Sequence, residues 1–520
     1  MKNFKKISIL ITTITILISC KTGELANKPE NKSQNNPNII IVYFDDLGYG
    51  DLSAYGATKI KTPNIDFLAN NGLKFTNAYA TSATCTPSRY GLLTGVYPWR
   101  NTNAKILSGD APLIVSTNQV TIPKVMKTQG YKTAIIGKWH LGLGNGNVDW
   151  NKEIKPNPND LGFDYSYIMA ATQDRVPTVY IKDGFVENLN LNDPIQVNYK
   201  ENFPNQPTGT SHPEKVKMIG DPQHSNALIN GVPRIGFMKG GTSAIWDDEA
   251  MADHFTNKVK EYIKENKNNK FFLNYNLQQP HVPRIPHPRF KGKSGMGVRG
   301  DVILEADWCI GELIKTLREE NLLENTLIIL SSDNGAIVTD GYEDEAIELL
   351  GNHKPNGVLR GGKYSLFDAG TRVPFISFWK GTIKPNVSDA LFSQIDILSS
   401  LAALTGSTVT TSDSQNNVNV LLGKTNSGRN HLILEANMKT AYREGDWVLI
   451  PAYKGSKYLK NKETETGIAQ EVQLYNITQD PSQQKNLAKE MPEKTNQLIL
   501  NFEKVKGQKA DSTSDFEFKN

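Results

Sequence analysis

Acidic and amide side chains occur in pairs shortly after two apolar runs of the sequence. Asp45 and Asp46 follow the run NIIIVYF, and Asp333 and Asn334 follow TLIIL after two serines. All four side chains offer oxygen, and oxygen donors favour Ca²⁺ or Mg²⁺ over zinc. A single Asp can cap a helix and Asp-Asn-Gly is a common turn. Four oxygen donors after strand-like runs nevertheless predict a metal site.

Five cationic side chains are predicted to lie near these oxygens. They are Arg89, Lys138, His140, His281 and Lys363. Lys138 and His140 are two residues apart, so an extended segment would point both side chains the same way. Positive charges gathered around a divalent cation repel one another unless an anion binds between them. The set therefore predicts a site for a tetrahedral oxyanion, held by the metal and the cations as charge develops.

Cys85 lies in the polar segment ATCTPSRYGLLTG, which is unusual company for a buried structural cysteine. The chain has three cysteines, and the other two occupy different settings. Cys309 lies in a helical apolar pattern, where a buried and unreactive thiol is expected. With Cys20 predicted to carry lipid, no disulfide framework is available. The polar setting of Cys85 therefore indicates chemistry rather than packing.

Short apolar runs separated by helical patterns predict the elements that position these residues. Unbroken runs indicate strands covered on both faces, as in a parallel sheet between helices. The runs are 38–44, 132–136, 270–277, 326–330 and 373–379, and the helical patterns are 64–71, 122–129, 248–265 and 302–320. Their alternation indicates an α/β fold. Ligands of open α/β sheets bind beyond the carboxyl ends of the strands, and most of the candidate residues follow these runs.

Six motifs together resemble the type I sulfatases of the alkaline-phosphatase-like superfamily, in their bacterial carbohydrate-sulfatase branch. The motifs are DDLGYGD (45–51), CTPSR with YGLLTG (85–95), GKWHLG (137–142), PHVP (280–283), SDNG (332–335) and GGK (361–363) with GTRVP (370–374). The resemblance covers about residues 38–405, and QLYNITQDPSQQKNL (473–487) is similar to the family's C-terminal domain. It implies a large α/β domain with a mostly parallel central sheet flanked by helices, and a smaller α+β domain with an antiparallel sheet.

The resemblance implies that a maturase converts Cys85 to formylglycine (3-oxoalanine). One hydroxyl of its hydrate would attack sulfur, and the second would then expel sulfate. An unmodified cysteine has no second hydroxyl and could not carry out this release. One Ca²⁺ ion would be bound by the residue 85 oxygen and by Asp45, Asp46, Asp333 and Asn334. Arg89 and Lys138 would stabilise the hydrate and the sulfate, and His140 would assist the formylglycine. His281 and Lys363 would contact sulfate and protonate the leaving oxygen.

Two segments depart from the family pattern. Asp368-Ala369-Gly370 stands where many relatives carry Glu-Gly-Gly, and Gln278-Gln279 stands where some carry His-Asp. Neither segment contains a residue assigned to metal or sulfate. The second changes the surroundings of His281.

The resemblance also implies a sulfated carbohydrate as substrate, either a polysaccharide or a glycosaminoglycan fragment. Residues 162–177 are similar to a branch that includes exo-acting galactose and N-acetylgalactosamine 4-O-sulfatases. Asp174 and Arg175 are therefore candidates for binding sugar hydroxyls, with Arg234 and His353 as further candidates. Loop salt bridges are the alternative role for these four residues.

Two other functions are open. A phosphatase or phosphodiesterase of the same superfamily would use Ser or Thr with two zinc ions, which Cys85 and the oxygen-only metal set disfavour. An inactive glycan-binding lipoprotein would be expected to lack some of the catalytic side chains that this chain retains.

The N-terminus has the features of an export signal. Three lysines precede a 13-residue apolar run that is too short to span a membrane, and Leu17-Ile18-Ser19-Cys20 resembles a lipobox. We expect a signal peptide at 1–19 and a tether at 20–37 lipidated at Cys20. The protein would be anchored in the periplasm or at the cell surface, with free secretion as the alternative. Without residues 1–19 the net charge falls from +4 to +1 (4 − 3), which argues against nucleic-acid binding.

A chain of 520 residues is expected to form at least two domains. The composition changes near residue 405, where a polar stretch gives way to possible strands at 431–436, 446–452 and 472–477. We expect a catalytic domain at 38–405 and a C-terminal subdomain at 406–520. The loop-rich segment 149–240 is expected to contain substrate-binding loops.

Overall fold

The structure, a computed structural model, describes residue 1 and residues 36–507. The predicted signal peptide and Cys20 lie outside the described residues. Among the residues that are described, no helix combines the length and the apolar character needed to cross a membrane.

Short strands and helices alternate along the described residues. Up to residue 393 the strands are β1 (Asn38–Asp45), β2 (Leu73–Phe75), β3 (Ala78–Tyr79), β4 (Lys132–Lys138), β5 (Tyr165–Met169), β6 (Tyr180–Lys182), β7 (Phe185–Val186), β8 (Gln196–Asn198), β9 (Ile219–Gly220), β10 (Leu228–Ile229), β11 (Val232–Pro233), β12 (Phe237–Lys239), β13 (Phe271–Pro280), β14 (Thr326–Ser332), β15 (Tyr342–Glu343), β16 (Phe375–Phe378), β17 (Asn386–Ser388) and β18 (Phe392–Ser393). The later strands are β19 (His431–Ala436), β20 (Lys439–Glu444), β21 (Trp447–Ile450), β22 (Tyr458–Leu459), β23 (Thr464–Glu465) and β24 (Gln473–Asn476). The helices are α1 (Pro63–Asn71), α2 (Cys85–Thr94), α3 (Ile122–Thr128), α4 (Met251–Glu265), α5 (Gly297–Glu319), α6 (Ala346–Leu350), α7 (Ile397–Thr405), α8 (Val418–Leu421) and α9 (Pro492–Lys506).

Ten strands form one sheet in the order β17-β2-β16-β14-β1-β13-β4-β5-β6-β7. The five central strands, β14, β1, β13, β4 and β5, are parallel to one another. The predicted mostly parallel sheet is therefore confirmed. The run at 373–379 forms β16, which is antiparallel to β14. An unbroken apolar run indicates burial on both faces but not the direction of the strand, so this pairing could not be predicted.

Both faces of the central sheet are covered, as the unbroken runs predicted. All eight residues of β1 are buried, and alternate side chains enter different cores. Ile39 and Ile41 pack on one face, which α3 and α7 cover, whereas Ile40 and Val42 pack on the other, against α4 and α5. On α5, Cys309 is fully buried. The predicted burial of this cysteine is confirmed, and burial raises the pKa of its thiol to about 12.

The smaller sheet is antiparallel, in the order β19-β20-β21-β24. The three predicted strands of this region are present, and β20 is an additional strand between two of them. Its sequence KTAYRE contains three charged residues and did not indicate a strand, although five of its six residues are buried. Helix α9 packs on this sheet through Leu498 and Phe502, whereas Val420 and Leu421 of α8 belong to the core of the large sheet.

Candidate functional site

Neighbouring parallel strands end at one edge of the large sheet and bring the predicted residues together there. β1 leads into Asp46, β4 ends at Lys138, β13 leads into His281 and β14 leads into Asp333. All ten predicted catalytic and metal-binding side chains are buried: Asp45, Asp46, Cys85, Arg89, Lys138, His140, His281, Asp333, Asn334 and Lys363. Ionisable groups at this density are stable only when they pair with one another or with a bound ion.

The backbone around these residues is strained. Asp46 and His140 have φ values of 65° and 56°, in the left-handed region that residues with a Cβ rarely adopt. Such conformations cost about 1–3 kcal/mol each and persist where the surrounding structure holds them. Gly137 has φ 110°, and a Cβ there would lie 1.8 Å from the Asn276 carbonyl oxygen. Glycine is therefore required at this position of β4, next to Lys138.

Each of three carboxylates is paired with a different cation. The pairs are Lys138 Nζ with Asp45 Oδ2 at 2.5 Å, Arg89 Nη2 with Asp333 Oδ2 at 2.8 Å, and Lys363 Nζ with Asp46 Oδ2 at 2.9 Å. The Nη1 group of Arg89 is buried without a hydrogen-bond partner. These pairs hold the three cations around one point and leave a guanidinium donor available.

The donor set fits a hard divalent cation. Asp45 Oδ1 and Asn334 Oδ1 are buried oxygens without a hydrogen-bond partner, and Asn334 Nδ2 donates to Asp46 Oδ1 at 2.7 Å. Burial raises the pKa of Asp45 well above its usual value, and the negative charges of Asp333 and Asp46 add to the effect, while Lys138 opposes it. A bound cation would relieve this repulsion. Ligand atoms of Asp45, Asp46 and His281 also lie within 4.8 Å of one another.

Cys85 is the first residue of α2, a helix whose ten residues are all buried. The amino end of a helix carries partial positive charge and favours an anion. Burial raises the pKa of the Cys85 thiol, although Lys138 and Lys363 oppose the shift. The encoded thiol is therefore protonated near neutral pH and is a poor nucleophile.

His140 is the nearest base to Cys85. Its Nδ1 lies 3.4 Å from Cys85 Sγ, and its Nε2 lies 3.0 Å from the Leu107 carbonyl oxygen. Burial lowers the pKa of His140 well below its usual value, and the charges of Lys138 and Arg175 lower it further. The imidazole is therefore neutral. Because Nε2 donates to a carbonyl, Nδ1 is the unprotonated nitrogen and faces residue 85.

His281 and Lys363 both lie beside Asp46. His281 Nδ1 is 2.6 Å from the Val282 carbonyl oxygen, and Nε2 is 3.9 Å from Asp46 Oδ2. Burial lowers the pKa of His281, as do the charges of Lys363 and Lys138. Burial also opposes the charge of Lys363, but Asp340 and Asp46 raise its pKa well above the usual value. Lys363 is therefore a permanent cation, and His281 is a neutral imidazole.

Asp174 and Arg175, two of the four sugar-binding candidates, are near the catalytic residues. Arg175 Nη1 donates to Asp174 Oδ1 at 2.8 Å, and the charge of Arg175 affects the pKa of His140. No motif in the sequence indicated His224, whose Nε2 lies 3.3 Å from Asp174 Oδ2 and whose Nδ1 lies 2.7 Å from Asp221 Oδ1. Burial opposes the charge of His224, but the two carboxylates raise its pKa. Asp174 therefore lies between Arg175 and His224, and these three residues form a cluster of candidate sugar-binding groups.

The other two sugar-binding candidates, Arg234 and His353, also have ion-pair partners within the protein. Arg234 is fully buried, donates to Asp248 at 2.7 Å and also donates to the Gln173 carbonyl oxygen. It therefore supports the segment before Asp174 from behind. His353 Nε2 lies 2.9 Å from Asp51 Oδ1. Asp51 also accepts two hydrogen bonds from Arg299, at 2.8 and 2.7 Å.

Replacing Arg234 by Met tests its structural role. We expect the free energy of unfolding to fall by about 3–5 kcal/mol, because Asp248 would remain as an unpaired buried charge. A second substitution, Asp248→Asn, should restore much of the loss, since no buried charge then lacks a partner. Denaturant unfolding of the two single variants and of the double variant measures both effects. Unchanged stability together with a large rise in KM would instead make Arg234 a substrate-binding residue.

A model of the sulfatase family matches residues 37–407 of this chain. The chain belongs to the sulfatase family. It is 48% identical over 511 residues to the N-acetylgalactosamine-6-O-sulfatase of Bacteroides thetaiotaomicron, covering 97% of this chain and 100% of that protein. It is 30% identical over 395 residues to arylsulfatase A of Bos taurus, covering 75% of this chain and 67% of that protein.

Solved structures support the same assignment. A structure from work on the metabolism of multiple glycosaminoglycans by Bacteroides thetaiotaomicron superposes with a TM-score of 0.90 at 49% identity, over 91% of this chain and 100% of that one. The phosphonate monoester hydrolase of Agrobacterium radiobacter superposes with a TM-score of 0.56 at 16% identity, over 91% and 96%, and so shares the fold alone. This sulfatase is therefore a sulfuric ester hydrolase, and the phosphatase and inactive-lipoprotein alternatives are not supported.

Three further residues at the site were not among those predicted from the sequence. Asp340 accepts hydrogen bonds from Lys363 at 2.8 Å and from the Tyr364 hydroxyl at 3.2 Å. Lys462, from the C-terminal subdomain, lies 2.5 Å from the other Asp340 oxygen. Tyr364 could have been found as the neighbour of the GGK motif. Asp340 and Lys462 lie in segments without any recognisable motif.

Proposed function

We propose that this sulfatase removes the 6-O-sulfate from N-acetylgalactosamine in glycosaminoglycan fragments, with formylglycine at position 85 and Ca²⁺ as its metal. The observation that supports it is the 48% identity to the Bacteroides thetaiotaomicron N-acetylgalactosamine-6-O-sulfatase across the whole of that protein. The 4-O-sulfate indicated by the 162–177 segment is the competing assignment.

Residues around position 85 are suited to supporting a hydrated formylglycine. When formed, that group supplies one hydroxyl to attack sulfur and a second hydroxyl whose deprotonation releases sulfate. His140 Nδ1 is the open proton acceptor beside residue 85. Arg89 and Lys138 contribute positive charge at the same point, and their carboxylate partners fix their positions. The oxygens of Asp45, Asp46, Asp333 and Asn334 would hold the calcium ion, whose charge would stabilise the sulfate oxygens.

The leaving oxygen would receive its proton from His281. Lys363 and Lys138 lower the pKa of His281, after burial itself, and the negative charge of a sulfate ester opposes those two lysines. Substrate binding therefore raises the pKa and favours protonation at Nε2, the nitrogen not held by the Val282 carbonyl oxygen. Lys363 keeps its proton and stabilises charge on the sulfate.

A panel of sulfated monosaccharides tests the substrate. Protein matured at Cys85 should release sulfate fastest from N-acetylgalactosamine 6-sulfate, measured by ion chromatography. The 4-sulfate of the same sugar, galactose 6-sulfate and N-acetylglucosamine 6-sulfate complete the panel. Faster release from the 4-sulfate would overturn the proposed position, and release from the glucosamine sugar alone would overturn the proposed sugar.

Calcium removal is expected to abolish activity and to lower stability. Chelation leaves the Asp45, Asp46 and Asp333 carboxylates with Lys138, Lys363 and Arg89 but without the metal ion, so the repulsion among them grows and the melting temperature should fall. Calcium at 100 times its Kd should restore about 2.7 kcal/mol of stability by mass action. Calorimetry with Ca²⁺, Mg²⁺ and Zn²⁺ measures the effect. Stabilisation by Zn²⁺ alone would contradict the oxygen-donor assignment.

The export route rests on the sequence and forms part of the proposal. We propose that residues 1–19 are removed, that Cys20 is lipidated, and that residues 38–405 and 406–520 form the catalytic and C-terminal units of the anchored enzyme. Mass spectrometry of the mature N-terminus tests this. A Cys20→Ala variant should be released from membranes, whereas wild-type protein should remain with them.

A further inference from the structure

Lys462 is a cation that the C-terminal subdomain places beside Asp340, which is also a partner of Lys363. It follows β22 and precedes β23, which pair as a hairpin. Glu465 in this hairpin accepts two hydrogen bonds from Arg360, at 2.7 and 2.8 Å. The backbone N–H of Leu366 donates to the Thr466 carbonyl oxygen at 2.9 Å. The hairpin is thus attached on both sides of Lys363.

The local backbone directs Lys462 towards Asp340. Residues Lys460–Lys462 form a single helical turn, and Glu463 then has φ 46°. A left-handed residue other than glycine reverses the chain at a cost in free energy, which the attachment of the hairpin offsets. Lys460, in the same turn, is exposed and therefore offers a matched comparison.

Asp340 is shared between two lysines. Its Oδ2 lies 2.8 Å from Lys363 Nζ and its Oδ1 lies 2.5 Å from Lys462 Nζ. Burial raises the pKa of Asp340, but Lys363, Lys462 and His281 together bring it well below its usual value. One carboxylate thus faces two ammonium groups, and Lys363 already has a second partner in Asp46. Among the described residues, Lys363 therefore contacts two carboxylates, whereas Lys462 contacts that of Asp340 alone.

Lys462 is also the more accessible of the two lysines. Its side chain is 11% exposed, compared with 1% for Lys363. Burial raises the pKa of Asp221, but the hydrogen bonds and charge of His224 lower it, and the charge of Lys462 lowers it further. Asp221 holds His224 beside Asp174. Lys462 is therefore in contact with Asp340 and close enough to Asp221 for their charges to interact.

We infer that Lys462 is a specificity-determining residue that binds a carboxylate on the sugar next to the sulfated one. The inference rests on the proposed function, because a uronic acid is the neighbour of N-acetylgalactosamine in sulfated glycosaminoglycans. Its ammonium turns from Asp340 to the substrate carboxylate, and Asp340 keeps Lys363 as its partner. The C-terminal subdomain thereby takes part in substrate selection.

Kinetics on two substrates test this role. The substrates are N-acetylgalactosamine 6-sulfate and a disaccharide of that sugar with a uronic acid. For Lys462→Ala we expect KM on the disaccharide to rise about tenfold, the effect of losing about 1.4 kcal/mol of binding. Its kcat, and both constants on the monosaccharide, should stay within about twofold. Lys462→Arg should restore part of the affinity for the disaccharide. Lys460→Ala should leave KM and kcat unchanged on both substrates.

Two other results would overturn the inference. Equal loss of kcat on both substrates would mean that Lys462 acts through Asp340 on Lys363 and makes no contact with a neighbouring sugar. Unchanged constants on both substrates would remove any role in turnover. Wild-type enzyme that is inactive on both sugars but active on another sulfate ester would instead overturn the proposed function, which separates the two failures.

Discussion

Replacing Cys85 by Ala is expected to lower kcat/KM by about 10⁴-fold or more, the scale reached when an enzyme loses its nucleophile. The substitution removes the thiol without which the maturase cannot oxidise the side chain to an aldehyde, and His140, Arg89 and Lys138 then surround an unreactive methyl group. Sulfate release from N-acetylgalactosamine 6-sulfate measures the loss. Because α2 is buried throughout, the folded fraction should be measured by circular dichroism alongside activity.

The second buried thiol supplies the control. Cys309 lies on α5 in the core, so Cys309→Ala removes an equal side chain without touching the site. It should keep near wild-type turnover, and mass spectrometry of its Cys85 peptide should show conversion of the thiol to an aldehyde. Active wild-type protein in which Cys85 stays an unmodified thiol would contradict the proposed nucleophile.

The position of the site could be predicted because it depends on strand direction. Asp45, Lys138, His281 and Asp333 each follow or end an apolar run, and parallel strands bring such ends to one edge. Burial and pairing then follow from charge, since carboxylates and cations at one buried point must neutralise one another. That the predicted catalytic and metal-binding residues lie together could therefore be inferred from the sequence.

The surroundings of the candidate sugar-binding residues could not be predicted in the same way. They are built from loops, where the pairing of residues depends on tertiary contacts. Arg175 and Arg234 are equally polar in the sequence, yet one lies near the catalytic residues and the other is fully buried against Asp248. His224 meets Asp174 across 50 residues of chain. Lys462 reaches Asp340 from another subdomain. No local sequence pattern indicates the contact of His224 with Asp174 or that of Lys462 with Asp340.

Replacing His281 by Ala should affect substrates differently according to whether the leaving oxygen needs a proton. A sugar alkoxide is strongly basic and needs a proton to leave, so kcat/KM on N-acetylgalactosamine 6-sulfate should fall by about 10²–10⁴-fold, the usual contribution of a general acid. Nitrophenolate is a weak base and leaves without a proton. On 4-nitrophenyl sulfate the same variant should therefore lose less than about tenfold.

Lys363→Ala is the matched comparison, because Lys363 also lies beside Asp46 but keeps its proton. It should slow both substrates by similar factors, since its charge stabilises the sulfate oxygens whichever group leaves. The contrast depends on pKa: burial and two lysines hold His281 neutral until an anion arrives, whereas Asp340 and Asp46 keep Lys363 charged despite its burial. An equal loss on both substrates for His281→Ala would place His281 among the residues that bind sulfate or metal and would leave the leaving oxygen without an assigned proton donor.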